Sequence, residues 1–98
     1  MLPVTYLGPA KRYFKKLSER PLKSAYLDAI TAIRLGPSIG EHKTGDLSGT
    51  LGYNVFYKGT NYEIAYRLEE NEEGELIVVI LAGSRENFYE ELKRYLKS

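Results

Sequence analysis

The chain contains no cysteine. Neither a disulfide framework nor a thiolate metal site can be built from it. A single histidine, His42, argues against a protein-only zinc centre, because such sites usually recruit several His or Cys ligands. No apolar run approaches the roughly 18–20 residues of a membrane-spanning helix. The N-terminus lacks a basic segment followed by a long apolar stretch, so no signal peptide is expected. No internal repeat, low-complexity tract or linker interrupts the sequence. The lack of cysteine fits a protein of the reducing cytoplasm.

What remains is ordinary for one globular domain. The chain has 98 residues, 43% hydrophobic and 28% charged. A disordered chain would be poorer in apolar residues. The length predicts a single domain over residues 1–98. Charge is nearly balanced, with 14 Lys and Arg against 13 Asp and Glu. That excludes a uniformly basic nucleic-acid binder. The balance hides an asymmetry. Residues 1–45 carry eight basic and three acidic groups, a net +5. Residues 46–98 carry six basic and ten acidic groups, a net −4. Such a split points to a partner for the basic half.

Hydrophobic periodicity gives the order of elements. Leu2 to Leu7 reads as a short strand ending at Gly8-Pro9, with Pro3 compatible with a sheet edge. Ala10, Tyr13, Phe14 and Leu17 form one apolar stripe of a helix. Leu22, Ala25, Tyr26, Ala29, Ile30 and Ile33 form the stripe of a second, which Pro21 opens and Gly36-Pro37 stops. The short connection predicts an antiparallel helical hairpin. Residues 36–52 contain five glycines and read as a turn-rich connection. Tyr53, Val55 and Tyr57 then alternate with Asn54, Phe56 and Lys58. A tight loop at Gly59-Thr60-Asn61 leads to Tyr62, Ile64, Tyr66 and Leu68, which alternate with Glu63, Ala65 and Arg67. Glu69–Glu75 reads as an acidic turn. Leu76 to Ala82 is continuously apolar, as in a central strand buried on both faces. Ser84 is expected to cap a last helix, with Glu86 in its first turn and Phe88, Leu92, Tyr95 and Leu96 as its stripe. The expected fold is α+β, ordered β-α-α-β-β-β-α, with an antiparallel sheet covered by the helical hairpin.

The stretch Leu81-Ala82-Gly83-Ser84-Arg85-Glu86-Asn87-Phe88-Tyr89 resembles the closing motif of the RelE/ParE toxin superfamily. Members commonly end a central strand in a small residue, then an Arg, then a Tyr four positions later. Gly45-Asp46-Leu47-Ser48-Gly49 resembles the family's glycine-rich entry to the sheet. Tyr53–Tyr57 and Tyr62–Tyr66 resemble its paired strands. The agreement spans residues 10–97, and the wording of the last motif is most similar to the ParE-like toxins. The resemblance implies the toxin of a type II toxin–antitoxin system. RelE-like members cut mRNA in the ribosomal A site, whereas ParE-like members act on DNA gyrase without being enzymes. The expected partners are therefore a cognate antitoxin together with either the ribosome and mRNA or gyrase. An inactive toxin fold that only binds its antitoxin is a third reading.

For RNA cleavage the resemblance implies a metal-independent attack of a 2′-hydroxyl on the adjacent phosphate, with no cofactor. Such a step needs a base, an acid for the leaving 5′-oxygen, and cations for the developing charge. Arg85, at a strand end, can offer its fork of donors to a phosphate, or pair structurally with Glu63 or Glu86. Tyr89 can stack on a base or transfer a proton, or simply pack at the edge of the last helix. Arg67 can be a second phosphate contact or a cross-strand ion-pair partner. His42 is a candidate acid or base, with Lys43 beside it as a substrate contact, although a loop histidine is often just solvated. Lys11, Arg12, Lys15 and Lys16 form the densest basic cluster, suited to RNA, to an acidic antitoxin, or to plain solvation. RNA-cutting relatives usually carry Tyr-Arg-Ile where this chain has Tyr62-Glu63-Ile64. A carboxylate there repels phosphate unless it is the general base or is tied up by Arg67 or Arg85.

Overall fold

A computed structural model describes residues 1–97. The chain forms strand β1 (Val4–Tyr6), helices α1 (Gly8–Lys16) and α2 (Arg20–Leu35), a two-residue β2 (Glu41–His42), then β3 (Leu51–Tyr57), β4 (Thr60–Asn71), β5 (Gly74–Ser84) and helix α3 (Phe88–Lys97). All five strands form one sheet in the order β1-β5-β4-β3-β2. Strands β3 to β5 pair antiparallel as expected, and β2, which lies in the stretch read as a turn-rich connection, adds antiparallel to β3. β1 alone runs parallel, against β5, with Val4 opposite Ile77. The Leu7 N–H donates to the Val79 carbonyl at 2.9 Å, so the chain leaves the sheet edge straight into α1.

Pro9 and Pro21 sit in the first turns of α1 and α2. A proline there removes an N–H that has no partner within the helix anyway. The two helices bury their stripes against one sheet face. Ala10, Leu22, Tyr26, Ala29, Ile30 and Ile33 meet Leu51, Val55, Ile64, Tyr66, Ile77, Val79 and Ala82 there. A second, smaller core lies on the opposite face, where Phe88 and Leu92 of α3 cover Ala65, Ile80 and Leu81, joined by Leu47. Expected burial of β5 on both faces is thus met. Ala65 pairs with Leu81 and Tyr66 with Val79, which makes Ile80 the extra residue of a β-bulge. The bulge turns both Ile80 and Leu81 toward α3.

The turns differ from the sequence expectation by small shifts. The first hairpin turns at Lys58-Gly59, with Tyr57 opposite Thr60. Both central residues have positive φ (47° and 76°), as a two-residue hairpin turn requires. The acidic stretch is mostly strand: Glu69 pairs with Leu76 and Glu70 with Glu75, leaving only Glu72-Glu73 as the turn. Charged side chains are tolerated because these strand ends overhang both cores. Helix α3 starts at Phe88, not near Ser84, which is the last residue of β5. The Arg85 N–H donates to the Asn61 carbonyl at 3.0 Å, which keeps the chain beside β4. Asn87, at φ 59°, then supplies the carbonyl for the first helical bond from Glu91.

Tyr66 ties the glycine-rich connection to the core. Its hydroxyl donates to the Pro37 carbonyl at 2.6 Å and accepts the Gly40 N–H at 3.0 Å. A Cβ on Gly40 would lie 2.4 Å from that oxygen, so glycine is required for the close approach. Tyr66→Phe removes the partner of the buried Gly40 N–H and of the partly buried Pro37 carbonyl and should destabilise the protein by roughly 1–3 kcal/mol. Urea denaturation should show a lower midpoint at unchanged slope; an unchanged midpoint would show that the two bonds contribute nothing.

Burial also pushes the hydroxyls of Tyr26 and Tyr66 above the ordinary value of 10.0. The Tyr13 bond reinforces the shift at Tyr26, and the Gly40 bond partly offsets it at Tyr66. The folded state therefore holds these protons more tightly than the unfolded chain. Their contribution is fully present below pH 10.0 and is lost as pH rises through the folded values. An ultraviolet titration should show delayed tyrosinate formation in folded protein, and coincident folded and urea-unfolded curves would contradict it.

Candidate functional site

Strand alternation places Glu63, Ala65 and Arg67 on the α3 side of β4. Helix α3 covers Ala65, and Glu63 lies by the helix start. In the neighbouring strand Gly52 pairs with Ala65. A Cβ on Gly52 would lie 2.6 Å from Glu63 Oε2, 2.9 Å from Lys43 Cε and 2.9 Å from the Tyr89 hydroxyl. The missing side chain therefore makes the hollow in which three functional groups meet. Lys43 reaches it from the end of β2, where its N–H donates to the Thr50 carbonyl at 3.0 Å. Tyr89 enters from the first turn of α3. Arg85 stands at the end of β5.

Glu63 is 4% exposed. Tyr89 donates a short hydrogen bond to its Oε2. Its Oε1 is buried without a hydrogen-bond partner, and Arg85 Nε stands 3.9 Å away. The Lys43 ammonium lies 4.8 Å from the centre of the Tyr89 ring, a cation–π distance, and 2.6 Å from Glu41 Oε1. Burial, and then the bond to Glu63, push the Tyr89 phenol above its usual range; Lys43 pulls partly the other way. Burial alone would lower the Lys43 ammonium, but the contacts with Glu41 and Tyr89 outweigh it and raise it. Lys43 in turn lowers the exposed Glu41 carboxyl. Near neutral pH the site thus holds a protonated phenol, a charged ammonium and a guanidinium around one buried carboxyl.

Of the residues singled out from sequence, Lys43, Glu63, Arg85 and Tyr89 come together here. Arg67 does not join them. It pairs with Glu69 and lies four positions, about 13 Å, along the strand from Glu63. His42 lies on the opposite sheet face, in a hollow of about 280 Å³ with Pro37, Leu51 and Leu68, because successive strand residues point opposite ways. Lys11, Arg12, Lys15 and Lys16 are exposed on α1 and do not contribute to the cluster around Glu63. Arg12 and Lys16 border a groove shared with Glu91 of α3, whereas Lys11 borders an apolar hollow with Lys23 and Leu27. Gly52 and Glu41 are the site residues that periodicity does not reveal. A glycine beside an alternating strand is the signal for the first, since it marks a close approach. Nothing in the sequence marks Glu41.

Among the described residues no helix is long and apolar enough to cross a membrane. Residues 4–93 match the family model described as the ParE-like toxin of type II bacterial toxin–antitoxin systems. No curated protein matches the sequence. Two solved structures share the fold. A chain of the RelBE2 toxin–antitoxin complex from Mycobacterium tuberculosis superposes with a TM-score of 0.63 at 25% identity, covering 86% of this chain and 98% of its own. A chain of the intact E. coli RelBE toxin–antitoxin complex gives 0.63 at 16% identity, covering 85% and 95%. A five-stranded sheet with three helices, a RelE-like architecture and a family match over nearly the whole chain agree: this protein belongs to the ParE-like toxins of type II toxin–antitoxin systems.

Proposed function

We propose that this toxin acts as a ribosome-dependent mRNA endonuclease and is silenced by a cognate antitoxin. One observation carries the reading: Lys43, Glu63, Arg85 and Tyr89 converge at one spot on the sheet face opposite the helical hairpin. Two cations beside a carboxyl and a phenol suit a phosphate under attack. The exposed lysines and arginine of α1 add a sequence-independent attraction for RNA. The matched structures are toxin–antitoxin complexes, which supports an antitoxin partner here.

A second reading, gyrase inhibition without catalysis, is favoured by a different observation. Asn54 and Phe56 are exposed and carry no charge, and Phe56 is 66% exposed. An uncharged aromatic suits a protein contact better than a phosphate. Expression without antitoxin separates the two. On the nuclease reading, growth stops and primer extension finds new 5′ ends within translated mRNA. Intact mRNA together with relaxed plasmid DNA would select gyrase instead. Unimpaired growth at verified expression would leave only an antitoxin-binding role.

A further inference from the structure

Glu63 is held by one oxygen only. Tyr89 satisfies Oε2, while Oε1 is buried and accepts no hydrogen bond. An unpaired buried acceptor is unfavourable, and in a native structure it marks strain, a bound water or ion, or a catalytic role. Arg85 Nε, at 3.9 Å, is beyond hydrogen-bond reach, and its side chain is 52% exposed. The backbone of Arg85 is pinned to Asn61, so only the guanidinium is free to swing. Gly52 opposite contributes no side chain that could close the hollow.

We infer that Glu63 Oε1 is the general base of the cleavage reaction, uncovered when the Arg85 guanidinium turns from the carboxyl to the substrate phosphate. The assignment rests on the endonuclease reading above. A guanidinium binds phosphate through two parallel bonds, far better than it binds a carboxyl oxygen beyond reach. Transferring it gives up the ion pair with Glu63 but no hydrogen bond, and the bonds to phosphate offset that loss. The other candidates are unsuited as a base. Tyr89 has its proton committed to Oε2, Lys43 is a charged ammonium, Glu41 is engaged by Lys43, and His42 faces the other side of the sheet. In the step, the 2′-hydroxyl proton passes to Glu63 Oε1 as the 2′-oxygen bonds to phosphorus. The bond from phosphorus to the 5′-oxygen breaks, and that oxygen takes a proton from the Lys43 ammonium. The products are a 2′,3′-cyclic phosphate and a free 5′-hydroxyl, and proton exchange with water restores both side chains.

The test compares wild type, Glu63→Gln and Glu63→Asp, each as the full chain, on ribosomes programmed with one defined mRNA. Initial cleavage rates are compared at one fixed pH, with circular dichroism as the folding control. The groups facing Glu63 are Lys43 just after β2, Tyr89 from α3 and Arg85 just after β5. Glu63→Gln should slow cleavage by roughly 10²–10⁴-fold. Cleavage by Glu63→Gln within about threefold of wild type overturns the assignment. Should Glu63→Gln not fold, Glu63→Asp decides: a folded Glu63→Asp protein slowed by roughly tenfold or more supports the assignment, and cleavage within about threefold of wild type overturns it. Intact mRNA with wild-type protein overturns the endonuclease reading, and the assignment falls with it. Rapid cleavage by Glu63→Gln removes the assignment alone.

Discussion

Gly52→Ala should abolish toxicity while leaving the fold in place. The added methyl would sit 2.6 Å from Glu63 Oε2 and 2.9 Å from both Lys43 Cε and the Tyr89 hydroxyl. All three atoms belong to side chains, so the side chains yield before the strand does. No backbone strain is introduced, because Gly52 has no positive φ. The overpacking should destabilise by about 1–3 kcal/mol. Displacing reacting groups by about 1 Å can slow a reaction by roughly 10²-fold, so loss of function should far outrun loss of stability. Growth inhibition by an induced, verified-soluble Gly52→Ala protein checks this. Full toxicity would mean that the hollow beneath Glu63 is not part of the functional surface.

Tyr26→Ala should have the largest effect on stability. Tyr26 is 0% exposed and lies at the centre of an aromatic cluster. Its ring meets Phe14 at 5.2 Å, Tyr13 at 5.5 Å and Tyr62 at 6.0 Å, all edge-on. Edge-to-face pairs of this kind add to simple area burial. Its hydroxyl also donates to the Tyr13 hydroxyl at 3.0 Å. Removing a buried aromatic ring typically costs about 3–5 kcal/mol, against about 5–15 kcal/mol for a whole domain. The variant should lose roughly a fifth or more of the protein's stability in a denaturant titration. A loss below about 1 kcal/mol would mean that the two helices are not held to the sheet through this residue.

The helical hairpin was legible because Tyr13, Phe14, Tyr26 and Ile30 recur at helical spacing, and only one face of such a helix can reach a core. The hairpin strands were legible because Tyr62, Ile64 and Tyr66 alternate. What escaped was set by tertiary pairing. β1 has three residues, too few to disclose a parallel partner more than seventy positions away. The bulge at Ile80 breaks the strict alternation by which β5 would be assigned to faces. Ser84 and Glu86 have the chemistry of a helix start, but Ser84 is the last residue of β5, the Arg85–Asn61 bond keeps the chain beside β4, and Glu86 falls in the turn before the helix. In the site, the spacing of Arg85 and Tyr89 was legible through family resemblance. Of the two arginines expected beside Glu63, Arg85 pairs with it at 3.9 Å, whereas Arg67 is taken by Glu69. The hydrogen bond from Tyr89 to the carboxyl was not legible. Two positions along one strand share a face without sharing a site.

The charge split acquires a location. The basic half supplies the α1 cations and Lys43, while the acidic half places Glu69, Glu70 and Glu75 on strand ends away from the cluster. Net neutrality is therefore compatible with a local cationic site.

The most direct measurement is the chemistry of the RNA ends. Purified toxin is mixed with mRNA-programmed ribosomes, and the fragments are analysed for their terminal groups. In-line attack by the 2′-hydroxyl predicts new ends bearing a 2′,3′-cyclic phosphate opposite a free 5′-hydroxyl, appearing only when ribosomes are present. Uncut mRNA under conditions where the same protein blocks DNA supercoiling by gyrase would contradict the account.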